Sequence, residues 1–314
     1  MTYWRRRAGR SRVLNARSDR KGHRSISISS KQQPSSIRLG TCLLKLDEPR
    51  IMGIVNNTKD SFSGDGIGGD VKAAVRAGLS MFDKGADIVD VGGESTRPGA
   101  VSVPLDEELR RTIPVVETLC RVHPGRVSID TMKPGVAEAA LYAGVAIVND
   151  VSGLRDPRMR EVVAEHDAAV IIMHMRGDPR TMQVRPRYRD VVGDIMTYLE
   201  ARIDEAEEAG INPRKIMIDP GIGFGKTIDH NLEILRRLRE FKMLGKPIVI
   251  GVSRKSFIGK ISGLPAMDRL PGSIAAAVLA VREGANIVRV HDVQETASAL
   301  RVAHAIMTDN RKPI

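Results

Sequence analysis

Aromatic residues are scarce in this 314-residue chain: Phe, Trp and Tyr make up 3%, whereas hydrophobic residues make up 42%. Any core must therefore be aliphatic. No apolar run approaches the roughly 20 residues of a membrane-spanning helix, so no membrane partner is predicted. The two cysteines, Cys42 and Cys120, form no CxxC or Cys/His pattern. Their scarcity argues against a zinc site and a disulfide framework, and it fits a reducing, cytoplasmic compartment.

Acidic residues are almost absent from residues 1–38, which hold eleven of the 49 Lys and Arg but one of the 38 Asp and Glu. The remaining 38 basic and 37 acidic residues nearly cancel, so this segment carries +10 of the net charge of +11. The body lacks the basic stripe of a nucleic-acid-binding surface, and no nucleic-acid partner is predicted. The Arg- and Ser-rich composition predicts a disordered basic extension over 1–38. A transit peptide, or a start of translation assigned too early, would have the same composition.

Short runs rich in β-branched residues alternate eight times with amphipathic helical stretches from residue 51 onward. These runs are apolar almost throughout, as strands are in a parallel sheet covered by helices. Eight such units fit a closed barrel better than an open sheet, which would need fewer strands or a second domain. The sequence predicts an α/β fold, a (β/α)8 TIM barrel, in a single catalytic domain over 39–314. The predicted strands are 51–55, 87–91, 126–129, 146–148, 169–173, 215–218, 247–251 and 286–290.

Polar or charged residues follow every predicted strand, at the end of the barrel where active sites of this fold lie. A single Asp at a strand end is usually a helix cap, but eight coincident polar strand ends indicate one functional rim. Donors and acceptors suited to a flat, nitrogen-rich heterocycle are Asp130, Asn149, Asp219 and Lys255. Groups suited to an anion are Asn56, Arg289 and His291, because Arg makes bidentate phosphate contacts.

Several other chemistries are disfavoured by the rim. No Ser-His-Asp order or Cys nucleophile stands out for acyl transfer. Paired carboxylates for glycoside hydrolysis stay open, although the basic groups favour an anionic substrate. Residues 225–227 resemble the end of a GxxxxGK[ST] phosphate loop, but Pro220 replaces its first glycine and the stretch follows the sixth strand. An ATPase is therefore not predicted.

Eight segments resemble, in order, the motifs of the dihydropteroate synthases, and the resemblance covers residues 51–307. It implies that (7,8-dihydropterin-6-yl)methyl diphosphate condenses with 4-aminobenzoate to give 7,8-dihydropteroate and diphosphate, a step of folate biosynthesis. It also implies Mg²⁺ as cofactor and a homodimer formed through the later helices. The matching segments are 51–56, 90–99, 128–131, 149–153, 173–175, 219–226, 253–257 and 289–292.

The resemblance also implies a role for each matching residue. The pterin ring would contact Asp130, Asn149, Met173, Asp219, Phe224 and Lys255. The diphosphate would contact Asn56, Arg289 and His291, with Asn56 also near the metal. The 4-aminobenzoate pocket would comprise Phe62, Thr96, Arg97, Pro98 and Ser256, and catalysis would depend on Asp130, Lys255 and Arg97.

Alternatives remain for some of these residues. Met173 and Phe224 would serve equally as core packing, and His291 as a capping residue. In the first loop, Asn57 stands where the family has a small apolar residue and Lys59 where it has Pro. Losing that Pro should loosen loop closure and raise the KM for 4-aminobenzoate.

Two rival functions would explain parts of the same sequence. A pterin-dependent methyltransferase would share the barrel but should lack the loop over 95–99 and the anion site. A non-catalytic barrel is supported by the basic extension alone.

Overall fold

The computed structural model describes residues 33–58 and 69–308, so the residues 1–32, 59–68 and 309–314 lie outside it. Within the described ranges, a short antiparallel hairpin precedes eight parallel strands. The hairpin consists of β1 (Ser36–Leu39) and β2 (Cys42–Lys45). The parallel strands are β3 (Arg50–Asn56), β4 (Ile88–Gly92), β5 (Val127–Asp130), β6 (Ile147–Asp150), β7 (Ala169–Met173), β8 (Ile216–Asp219), β9 (Val249–Gly251) and β10 (Ile287–Val290).

Helices follow the parallel strands and cover the sheet from outside. The α-helices are α1 (Val71–Asp83), α2 (Leu105–Val122), α3 (Pro134–Tyr142), α4 (Pro157–Glu165), α5 (Val191–Glu208), α6 (Ile228–Arg236), α7 (Ser256–Ser262), α8 (Leu270–Arg282) and α9 (Val293–Met307). Short 3₁₀ turns occupy Pro213–Lys215, Leu238–Leu244 and Ala266–Asp268. None of the helices in the described ranges combines the length and apolar character needed to cross a membrane.

The sheet closes into a barrel. Each parallel strand pairs with the next along the chain, and β10 returns to pair with β3. A bridge between Ile218 and Ile248 joins β8 to β9, and the amide of Ile218 donates to the carbonyl of Pro247 at 3.0 Å. The predicted TIM barrel is confirmed, and all eight predicted strands lie within two residues of their predicted bounds.

The hairpin was not predicted from the sequence, because each strand has four residues and the surrounding composition is basic. Ile37 and Leu39 are each 1% exposed and pack with Met52, Ile147 and Met217 from the starts of barrel strands. The hairpin therefore covers the N-terminal mouth of the barrel. The boundary predicted after residue 38 falls inside β1, because burial of Ile37 makes that strand part of the folded domain.

The main core lies between the sheet and the helices and is aliphatic, as the scarcity of aromatics predicts. It is built mainly from Val, Ile, Leu and Ala, with a few fully buried larger side chains such as Phe241 and Met159. In the part of the chain that the structure describes, the hairpin covers the N-terminal mouth of the barrel, which leaves the C-terminal ends of the strands as the open mouth.

Candidate active site

A cavity of about 330 Å³ lies at the C-terminal ends of the strands. Its volume suits a small-molecule ligand. The cavity brings together ten of the fourteen predicted site residues, which come from both ends of the sequence and from most of the strand ends. These residues are Asn56, Thr96, Arg97, Pro98, Asp130, Phe224, Lys255, Ser256, Arg289 and His291.

Three predicted pterin contacts, Asn149, Met173 and Asp219, are not among the residues that line this cavity. They are buried at the ends of the neighbouring strands β6, β7 and β8. Strand register pairs Asp130 with Asn149 and Met173 with Asp219, so the three continue the rim from Asp130. The fourth residue outside the cavity, Phe62, lies in the 59–68 gap and is not described.

An arginine joins two carboxylates at the base of the site. Arg289 donates from Nε to Asp90 Oδ2 and from Nη2 to Asp130 Oδ2, both at 2.7 Å. Asn149 donates to the same oxygen of Asp90 at 2.9 Å. Asp90, which is fully buried, was not among the residues predicted from the sequence. The sequence contains one indication of this role, because Asp90 is a lone acid inside the apolar run of β4. A buried acid at such a position requires a charged partner in the barrel interior.

Asp130 is held close to its titration point at neutral pH. Burial raises the pKa of Asp130 to about 7, Arg289 opposes this rise, and the carboxylates of Asp90 and Glu108 add to it. Among the described residues, no hydrogen bond reaches Oδ1 of Asp130 or Oδ1 of Asp90, although both atoms are buried. Buried acceptors without donors are costly, so these oxygens are suited to the N–H groups of a planar heterocycle.

A lysine and an aromatic ring form the opposite wall. The Lys255 ammonium lies 4.3 Å from the centroid of the Phe224 ring, a cation–π distance. Burial lowers the pKa of Lys255 to about 8, while Asp219 acts to raise it. Burial raises the pKa of Asp219, although the amide of Gly221, which donates to its Oδ1 at 2.7 Å, and Lys255 act to lower it. Phe224 lines the cavity and also packs against a small buried cluster that contains Met173, Met175 and Met182.

A buried lysine, Lys226, holds the loop after β8 in place. Lys226 is 3% exposed and donates to the carbonyl of Phe224 at 3.0 Å, and its Nζ lies 2.9 Å from His174 Nδ1. Burial and then Lys226 lower the pKa of His174 to about 2. The bonds that Lys226 makes therefore hold the segment that carries Phe224.

Gly221 in this loop tolerates no side chain. Its φ is +72°, and a Cβ would lie 2.0 Å from the carbonyl oxygen of His174. We expect Gly221→Ala to lower the free energy of unfolding by roughly 3 kcal/mol, because backbone strain and a backbone clash combine. Gly263→Ala, at φ +74° in open space, should cost about 1 kcal/mol from strain alone. Urea denaturation measures the free energy of unfolding of both variants. Equal losses would show that the clash with the His174 carbonyl adds no cost.

Two residues of the predicted anion site extend from the last strand. Arg289 in β10 and His291 just after it are two residues apart on an extended chain, so their side chains point to the same side and both line the cavity. His291 Nδ1 lies 3.0 Å from Ser253 Oγ, which orients the ring. Arg254 and Asp292 form a two-pronged ion pair at 3.1 and 2.6 Å that joins the loops after β9 and β10. A basic, pre-formed wall results.

Asn57, which stands where the resembled family has a small apolar residue, has a structural role. Its side chain is fully buried, and Nδ2 donates to the carbonyl of Arg111 in α2 at 2.8 Å. This bond fixes the start of the first loop to α2. Lys59 lies in the gap that the structure does not describe, so the predicted loosening of the loop and the predicted rise in KM stay predictions.

The family model described as pterin binding enzyme matches residues 52–291. The chain therefore belongs to the family of pterin-binding enzymes. Among curated relatives, the dihydropteroate synthase of Escherichia coli (strain K12) is 45% identical over 265 residues, which cover 84% of this chain and 94% of that protein.

Solved structures agree. The Xanthomonas albilineans dihydropteroate synthase with 4-aminobenzoic acid has a TM-score of 0.80 at 44% identity, over 87% of this chain and 98% of that one. The Burkholderia cenocepacia dihydropteroate synthase complexed with 7,8-dihydropteroate has a TM-score of 0.79 at 43% identity, over 87% and 97%. The function of this chain is accordingly that of a dihydropteroate synthase, which is a transferase.

Proposed function

We propose that this site binds (7,8-dihydropterin-6-yl)methyl diphosphate and 4-aminobenzoate and joins them into 7,8-dihydropteroate, releasing diphosphate. The observation that carries the proposal is one cavity in which Asp130 Oδ1, a buried oxygen without a donor among the described residues, lies beside the guanidinium of Arg289. A pterin ring offers N–H donors to the first group, and a diphosphate offers anionic oxygens to the second. The relatives solved with 4-aminobenzoic acid and with 7,8-dihydropteroate support the same substrates.

In this proposal Asp130, Asn149, Asp219 and Lys255 bind the pterin ring, and Phe224 forms a wall beside it. Asn56, Arg289 and His291 bind the diphosphate. Thr96, Arg97, Pro98 and Ser256 line the outer part of the same cavity and bind 4-aminobenzoate.

The reaction exchanges one bond at the exocyclic methylene carbon. The C–O bond to the diphosphate breaks and its electron pair leaves with the diphosphate, which Arg289 stabilises. The carboxylate of Asp130 stabilises the cationic pterin that remains, because an opposite charge in a water-poor site acts strongly. The amine nitrogen of 4-aminobenzoate then forms the C–N bond and releases its proton. Catalysis depends mainly on placement and electrostatics.

Mg²⁺ fits this site as an ion shared with the substrate. The described residues contain no group of three His, Cys, Asp or Glu that would form a cage for a metal ion. Mg²⁺ commonly takes one or two protein oxygens together with substrate phosphates and water. Asn56, which lines the cavity with Arg289 and His291, would supply one such oxygen. The bound ion would neutralise charge on the departing diphosphate.

A turnover assay tests the proposal. We expect diphosphate release that requires both 4-aminobenzoate and Mg²⁺, and that stops when EDTA is added. Release without 4-aminobenzoate, or transfer of a methyl group from a methylated folate in its place, would favour the rival methyltransferase. The cytoplasmic location predicted from cysteine usage is part of the same proposal.

We also propose a homodimer formed through α8 and α9. Three large apolar side chains on these helices, Leu279, Val302 and Ile306, are 56%, 61% and 79% exposed. Arg282 and Glu295 lie beside them in the same groove. In a two-fold dimer, Arg282 of each copy would face Glu295 of the other, and the exposed apolar side chains would be buried between the two copies. A second copy of the chain therefore suits this surface.

We expect Val302→Glu to produce a monomer, because the dimer would bury an unpaired carboxylate. Sedimentation velocity measures the mass. Val122→Glu is the matched control, since Val122 at the end of α2 is 54% exposed and lies far from α8 and α9 in sequence. A wild-type monomer, or a Val302→Glu dimer, would refute the proposal.

A further inference from the structure

An ion-pair cluster outside the proposed substrate contacts joins the loop between β4 and α2 to the body of the barrel. This loop, residues 93–104, is called loop 2 here and carries Thr96, Arg97 and Pro98. The cluster centres on Lys133, which precedes α3 and lies three residues after Asp130. Lys133 Nζ donates to Glu94 in loop 2 and, at 2.5 Å, to Glu108 in α2. None of these three charged residues has a role predicted from the sequence.

Glu94 connects the two ends of loop 2. The oxygen that accepts from Lys133 also accepts from the amide of Val103 at 2.8 Å and from Ser102 Oγ at 3.2 Å. Residues 95–101 are thus enclosed between Glu94 and the segment 102–103. The Glu94 side chain is 8% exposed, and the residue lines the cavity beside Ser95 and Thr96. The cluster therefore constrains the part of loop 2 that contacts the cavity.

Lys133 and Glu108 attach loop 2 to the body of the barrel. The side chain of Glu108 is 1% exposed, and its second oxygen accepts from Thr131 Oγ1 at 2.7 Å. Thr131 directly follows Asp130, and its Oγ1 accepts from the backbone amide of Lys133 at 3.1 Å. The cluster thus joins loop 2 to the strand end that bears Asp130.

The charges explain why a lysine is needed. Without it, two largely buried carboxylates would lie close together, and such a pair is strongly unfavourable. Burial opposes the charge on Lys133, but the hydrogen bonds that it donates to Glu108 and Glu94 raise the pKa of Lys133 above its usual value. Lys133 therefore stays charged.

We propose that Lys133 is a positioning residue that holds loop 2, through Glu94, in the geometry that binds 4-aminobenzoate. The inference rests on the proposed function in one respect, namely that Thr96, Arg97 and Pro98 form the aminobenzoate subsite. Among the described residues, Glu94 forms no hydrogen bond or ion pair with Asn149, Asp219 or Lys255. Glu94→Ala also keeps the Lys133–Glu108 pair next to the strand end that bears Asp130, so loss of Glu94 should act selectively on the second substrate.

Glu94→Ala is the principal test because it releases loop 2 and leaves the Lys133–Glu108 pair intact. We expect its KM for 4-aminobenzoate to rise about tenfold, the effect of losing a charged hydrogen bond. Its KM for the dihydropterin diphosphate should stay within about twofold. Lys133→Met should also raise the KM for 4-aminobenzoate, whereas Lys133→Arg should keep this KM close to the wild-type value. Combining Glu94→Ala with Lys133→Met should raise the KM little beyond either single change, because both substitutions break the same connection.

Glu207→Ala is the matched control. Glu207 pairs with Lys246 at 2.7 Å, and Lys246 precedes β9 at the opposite end of the barrel from the cavity. Breaking this pair should leave both KM values unchanged. A merely structural role for Lys133 would lower stability and kcat and shift the two KM values together; that result, or an unchanged KM for 4-aminobenzoate, would overturn the inference.

Hydrogen–deuterium exchange separates this inference from the proposed function, since it requires no turnover. Amides of 95–103 should exchange faster in Glu94→Ala than in the wild-type protein, while β5 and α2 remain unchanged. Unaltered exchange in loop 2 would refute the positioning role even in an active enzyme. Faster exchange in Glu94→Ala, together with a wild-type protein that fails to use 4-aminobenzoate, would support the role and refute the proposed substrate.

Discussion

Replacing Arg289 by Met is expected to lower kcat/KM for the dihydropterin diphosphate by about 10³-fold. Arg289 bonds to Asp90 and Asp130 at 2.7 Å and lies in the wall proposed to bind the diphosphate. Its loss leaves two buried carboxylates without their cation, and removing one member of a buried pair costs about 3–5 kcal/mol. The pKa of Asp130 should also rise, because Arg289 is the group that lowers it.

Steady-state diphosphate release measures this effect. Arg289→Lys should recover only part of the activity, because an ammonium cannot bond to both carboxylates and a phosphate with the geometry of a guanidinium. Arg239→Met is the matched control: Arg239 makes a two-pronged pair with Glu283 at 2.6 and 2.9 Å, but its side chain is 67% exposed. A loss below tenfold in Arg289→Met would show that Arg289 is a structural residue only.

Replacing Asp130 by Asn is expected to lower kcat by roughly 10³-fold, similar to removal of a key electrostatic group in other active sites. The proposed cation needs the charged form of Asp130. Because burial raises the pKa of Asp130 to about 7, the wild-type kcat/KM should rise as the pH increases from 5 and level off above about 7.

The pH profile provides the control for this prediction. The rise through pH 7 should disappear in Asp130→Asn, since the amide does not titrate. Asp167→Asn, at an exposed turn where Asp167 pairs with Lys215 at 2.8 Å, should keep the wild-type profile. A profile for Asp130→Asn that still rises near pH 7 would assign the titration to another group, and a kcat within tenfold of wild type would remove Asp130 from the mechanism.

The strand predictions succeeded because their signals are local. A parallel strand covered by helices has to be apolar along its whole length, and β7 (Ala169–Met173) was located without error on that pattern. The rim followed by geometry, since parallel strands of a barrel all end at one mouth. Asp130, Arg289 and Lys255 could therefore be grouped from their positions in the sequence, and the cavity contains all three.

The missed features depend on partners distant in the sequence. Asp90 lies within a strand and gained meaning only when Arg289, 199 residues away, was found against it. The first strand of the hairpin, Ser36–Leu39, could not be recognised at the end of the basic segment, because its burial depends on the barrel strands against which it packs. Asn57 differed from the family, but only the bond to Arg111 shows what it stabilises.

The sequence by itself determined the closed α/β barrel, the mouth that bears the chemistry, and the residue types suited to a flat heterocycle and an anion. Hydrophobic periodicity and strand-end polarity are local patterns, which neighbouring residues define. Only the tertiary structure decided which of those charges bond to each other, that Lys133 connects loop 2 to α2, and how near neutrality Asp130 titrates. Pairing, burial and pKa depend on barrel closure, which brings distant segments together and excludes water from between them.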